Sequence, residues 1–199
     1  MKQEYCIDLS FNYKGSFKPG ASLVDLIDEV ADIAHANEWR YSIFNDIFPE
    51  DAFETDDHDG KLYGISFTPP LCDTVWLCFL SNGKMSNPEN LDLFGGLEHE
   101  SFEKVLYWLN VITHNAGVEM HKKILDILRY LDKKYFKDFE VTDVSHYWES
   151  GDEKVMKETL NFSASLFEAY VYGHEYPLQP GESEQDYWTR VTKFMFGIK

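Results

Sequence analysis

The spacing of apolar residues changes character once along this chain, and that change constrains the fold more than any motif does. In the first 82 residues most apolar runs are strand-like, whereas from about Glu98 they recur at helical intervals. Tyr5, Ile7, Leu9 and Phe11 share one parity, which predicts a half-buried strand over residues 4–13, ended by KGSFKPG. The first half holds one helical stretch. It opens at Ser22, a side chain suited to an N-cap, and puts Leu23, Ile27, Val30, Ala31 and Ala34 on one face. WRYSIFNDI (39–47) reads as a second strand. KLYGISFT and TVWLCFLS, joined by PPLCD, read as an antiparallel pair, followed by a loop through SNGKMSNPEN to Gly95-Gly96.

Beyond that loop, Phe102, Val105, Leu106, Leu109 and Ile112 predict a helix ending near Gly117. Val118, His121, Ile124, Leu125, Leu128, Leu131 and Tyr135 predict another, with Lys133 and Lys134 at the end where cations suit the macrodipole. DFEVTDV reads as extended. Ser150 and Glu153 have the spacing of a capping box opening a helix through Met156, Leu160, Phe167 and Tyr170, and a final helix is expected from Ser183, burying Trp188, Val191, Phe194 and Met195. The fold class is therefore α+β: an antiparallel sheet of about four strands from the N-terminal part, packed by four to five helices mostly from the C-terminal part. A single domain over 1–199 is expected. The alternative is a sheet-rich subdomain over 1–90 and a helical one over 91–199.

Charge narrows the function classes. The chain has a formal net charge of −17, and residues 1–60 hold 14 acidic and 4 basic residues, hence −10 of that total. Such a field repels the phosphates of nucleic acids and anionic lipids, and it steers a basic protein partner inward. Asp25, Asp28, Glu29 and Asp32 fall at i, i+3, i+4 and i+7 on the polar face of the first helix, and Asp56, Asp57 and Asp59 crowd one loop. These seven are the candidate partner-binding residues. With no signal peptide, no membrane-length apolar run and three cysteines (Cys6, Cys72, Cys78) in strand-like surroundings, a reducing, cytoplasmic setting is expected.

Motifs for chemistry are incomplete. Aligning Gly60 as the invariant glycine of a calcium loop puts Asp57 and Asp59 in register but leaves Ser66 where the bidentate Glu belongs. His99-Glu100 begins a zinc-helix pattern whose second histidine is replaced by Glu103. His121, inside an apolar stripe, reads as a satisfied core histidine. Asp143, His146 and Glu149, beside Trp148, are the candidate catalytic residues, since carboxylates near an imidazole support acid–base work or hold a divalent ion. Their rival role is to anchor a helix entry. No GxSxG, GxGxxG, phosphate loop or CxxC occurs, and no cofactor is expected.

The block KYFKDFEVTDVSHYWESGDE (134–153) resembles a segment of uncharacterised bacterial proteins, some associated with toxin–immunity loci. It covers roughly a tenth of the chain, contains no catalytic motif and transfers no residue roles. The resulting expectation is an immunity-like interaction module for a basic partner. The alternatives are a metal-assisted hydrolase centred on residues 143–152 and a structural subunit of an assembly.

Overall fold

A computed structural model describes residues 9–97, 100–160 and, apart from 184 and 188, 179–190. The chain divides into two compact units, Asp8–Val144 and the pair of segments Met1–Ile7 and Ser145–Lys199. In the first unit the order is β1 (Ser10–Phe17), α1 (Leu23–Ala36), β2 (Arg40–Ile43), β3 (Tyr63–Thr68), β4 (Val75–Phe79), α2 (Pro88–Phe94), α3 (Glu100–Leu106), β5 (Leu109–Ile112), a 3₁₀ turn (His114–Ala116), α4 (Val118–Tyr135) and β6 (Phe136–Asp143).

The α+β class holds, but the single four-stranded sheet does not. Two three-stranded antiparallel sheets form instead, ordered β5-β1-β6 and β2-β3-β4. The first joins β1 to strands about a hundred residues away, with Phe11 opposite Val111 and Asp143. Pairing at that distance leaves no local sequence signal.

Strand β1 runs past the predicted end at residue 13, straight through Lys14-Gly15-Ser16; residues 4–8 fall outside the described residues. Its pairing with β6 shifts register between Lys14 and Ser16. A Cβ on Gly15 would lie 2.9 Å from the Phe139 ring and 3.1 Å from the Phe139 Cα, so glycine here permits close approach of β6 rather than ending the strand.

The helix expected from Glu98 to Gly117 is likewise corrected. It ends at Leu106, where the Asn90 side chain donates to the carbonyls of Val105 (3.0 Å) and Trp108 (2.9 Å). Leu109 and Val111 are then buried at period two while Asn110 turns outward and bonds Asn12 at 2.8 Å. The predicted loop before it contains α2, whose Asn87 side chain accepts the Asn90 N–H at 2.7 Å and whose Pro88 occupies the first turn.

Both long helices follow their apolar stripes. In α1 the Ser22 hydroxyl accepts the Asp25 N–H at 3.1 Å, and Leu23, Leu26, Ile27, Val30 and Ala34 are buried. In α4 the buried set is His121, Ile124, Leu125, Leu128, Leu131 and Tyr135. Each fully buried aliphatic side chain contributes about 1.5–3 kcal/mol of transfer free energy, so these stripes outweigh intrinsic propensity in holding the helices. Cys78 is fully buried, and burial pushes its thiol well above the ordinary range, consistent with a packing role.

In the second unit, α5 (Tyr147–Ser150) precedes helical residues 153–160. The capping residue of that helix is Asp152, which accepts the Lys154 N–H at 2.7 Å, rather than Ser150. The Ser150 hydroxyl instead donates to the His146 carbonyl at 2.7 Å and accepts the Asp152 N–H at 3.1 Å. Phe167, Tyr170, Trp188, Val191, Phe194 and Met195 lie outside the described residues. Asp186 N–H donates to Ser183 Oγ at 3.2 Å, an N-cap contact at the predicted start of the last helix. Among the described residues no helix is long and apolar enough to cross a membrane.

Candidate functional site

The acidic helix face splits into two parts. Asp25, Asp28 and Asp32 are exposed and make no ion pair with any described residue. Glu29 is half-buried and turned to α4, where both its carboxylate oxygens accept from Lys134 Nζ at 2.8 Å. Tyr130 and Tyr135 also donate to it, the latter at 2.7 Å. Burial alone would raise the Glu29 carboxyl, but the bonds from Lys134 and the two tyrosines outweigh it and hold the group below the usual carboxylate range. Glu29 therefore joins two helices, and its charge is matched within the protein.

The loop carboxylates divide in the same way. Asp59 accepts the Lys61 N–H at 3.1 Å and the Tyr63 hydroxyl, while its own N–H donates to Ser81 Oγ at 2.9 Å. Its carboxyl, too, is held low: burial opposes, and the Tyr63 bond leads the effects that prevail. Asp56 lies 3.6 Å from Lys84 Nζ. Asp57 makes no ion pair with a described residue and lines a cleft of about 500 Å³ with Asp56, His58, Phe94, Glu103 and Tyr107.

Lys84, which belongs to no sequence motif, pairs with two of the carboxylates that line this cleft, Asp56 and Glu103. Its ammonium donates to Glu103 at 3.2 Å and sits 4.8 Å from the centre of the Tyr107 ring. Asn82 holds that ring by donating to the Tyr107 hydroxyl at 2.9 Å. The carboxylates and the aromatic wall thus already accommodate one cation from the chain itself.

Asp143, His146 and Glu149 have different surroundings. Asp143 ends β6 with its side chain fully buried, and its Oδ1 lies 2.9 Å from Nε2 of the equally buried His121. The other ring nitrogen, Nδ1, lies 2.7 Å from the Thr113 hydroxyl, which also reaches the Leu9 carbonyl at 3.0 Å. The three side chains tie the start of α4 to the ends of β5, β1 and β6. His121 is the satisfied core histidine that the apolar stripe predicts; its pairing with Asp143 spans 22 residues and leaves no local sequence signal. Both side chains of the pair are fully buried.

His146 and Glu149 belong to the second unit, are largely exposed and lie 3.7 Å apart at i, i+3. His146 has φ +57° at the entry to α5. Among the described residues no group of three or more His, Cys, Asp or Glu side chains is arranged to hold a metal ion. His99 lies outside them. The chain matches no protein-family model, no curated protein and no solved structure.

Proposed function

We propose that the chain is a protein-interaction module that binds a basic protein, in the manner of an immunity-like inhibitor. The observation that carries this reading is the row of exposed carboxylates at Asp25, Asp28 and Asp32, which make no ion pair with described residues on a helix whose other face is anchored in the core. A rigid backbone presents charge at little entropic cost on binding, and a net −17 accelerates encounter with a cation. Asp57, an exposed residue lining the acidic cleft, extends the same chemistry. Hydrolysis centred on residues 143–152 is less favoured, because Asp143 is committed to His121 in the interior.

Titration calorimetry against a set of purified basic nucleases, at about 50 and 300 mM salt, tests the proposal. A partner should lose at least about tenfold in affinity at the higher salt and again in the combined Asp25→Asn, Asp28→Asn, Asp32→Asn variant. Binding indifferent to both changes would overturn it.

A further inference from the structure

The two edges of the β2-β3-β4 sheet are treated in opposite ways. In β4, Leu77 pairs with Ile65, so Trp76 and Cys78 direct their backbone groups away from β3. Each finds a partner. The Tyr13 hydroxyl donates to the Trp76 carbonyl at 2.9 Å and accepts the Trp76 N–H at 2.8 Å, and the Cys78 carbonyl accepts the Ser86 N–H at 3.0 Å. At the other edge, the Phe44 N–H donates inward to Gly64 at 2.9 Å, so by alternation Tyr41 and Ile43 direct theirs outward. No described strand lies along that side.

Open edges are ordinarily blunted by lysine, proline or a bulge. Here all four residues of β2 are exposed, including Tyr41 and Ile43, and Ile47 just beyond is 73% exposed. Tyr41 stands opposite Phe67 and Ile43 opposite Ile65, so their side chains prolong an apolar surface whose inner part is buried.

We propose that β2 is the pairing edge of a twofold-symmetric homodimer, in which two copies meet antiparallel to form one six-stranded sheet. Charge selects a second copy as the occupant. In a chain of −17, residues 39–48 hold one base, Arg40, and one acid, Asp46, neither in an ion pair with a described residue. Antiparallel pairing centred on Ser42 sets Tyr41 against Ile43 of the other copy, an aromatic and β-branched cross-strand pair, and exchanges four backbone hydrogen bonds. It also brings Arg40 diagonally within reach of the other copy's Asp46. A cationic strand would meet Arg40 without that compensation. The joint is small, so its dissociation constant is expected on the order of 10 µM.

Sedimentation equilibrium of the full chain from about 1 µM to 1 mM should show a monomer–dimer equilibrium on that scale. Ile43→Lys, which sets two ammonium groups at the joint, should remain monomeric throughout. Arg40→Asp should weaken dimerisation at least about tenfold, and adding Asp46→Arg to it should restore the wild-type constant. Both charge sites are exposed, so this pair decides the matter even if Ile43→Lys misfolds. A wild-type chain monomeric at about 1 mM, or a dimer indifferent to Arg40→Asp, overturns the proposal.

Discussion

Asp143 and Asp25 are the same side chain in opposite circumstances. Asp143 is sealed in the interior against an imidazole; Asp25 stands on a helix surface with water around it. Glu29 is intermediate, half-buried and shared among Lys134, Tyr130 and Tyr135. The contrast teaches that a list of carboxylates in a sequence mixes groups that hold the fold with groups available for binding. Only the surroundings sort them, because the cost of losing a partner rises steeply as water is excluded.

The strongest way to break this contrast is Asp143→Ala. It strands a buried imidazole and should cost about 3–5 kcal/mol in urea unfolding, a large share of the stability of an ordinary domain. A loss below about 1 kcal/mol would place Asp143 with the surface carboxylates instead. Removing both members, as His121→Leu with Asp143→Leu, should cost distinctly less than the single change, since no imidazole is then stranded and the Thr113 hydroxyl keeps the Leu9 carbonyl.

Glu29→Gln comes next, at about 1 kcal/mol at pH 7, because the amide still accepts a hydrogen bond but loses the ionic one. Acid sharpens the point. The Glu29 carboxyl is held below its ordinary value, so its stabilisation is complete above the unfolded value of about 4.5 and is lost as pH falls through the lower folded value. Urea midpoints of wild type and Glu29→Gln should therefore converge progressively as pH falls below about 4.5, whereas a constant gap would separate the effect from ionisation. The other carboxylates titrate in both proteins and cancel in the difference.

The smallest expected effect is the combined Asp25→Asn, Asp28→Asn, Asp32→Asn change, within about 0.5 kcal/mol of wild type by thermal or urea unfolding. Relief of like-charge crowding can make it slightly stabilising. A loss of 2 kcal/mol or more would show that these carboxylates hold the fold and would remove the basis for assigning them to a partner.

What the sequence determined by itself is local. Ser22 and the stripe Leu23, Ile27, Val30, Ala34 specify α1; the stripe from His121 to Tyr135 specifies α4; Pro69-Pro70 and the flanking aromatic runs specify the β3-β4 hairpin. Caps, turns and amphipathic periods act over a few residues, so the chain states them openly. Only the tertiary structure decided that Leu109-Asn110-Val111-Ile112 is a strand, since its partner Ser10-Phe11-Asn12-Tyr13 lies about a hundred residues away and period two over four residues is degenerate with a helical stripe. It also decided that Glu29 faces Lys134 and Asp143 faces His121. The acidic stripe was legible as four carboxylates, and folding divides it: three are left in water and one is turned inward, because electrostatic and hydrogen-bond partners are set by distance in space and not along the chain.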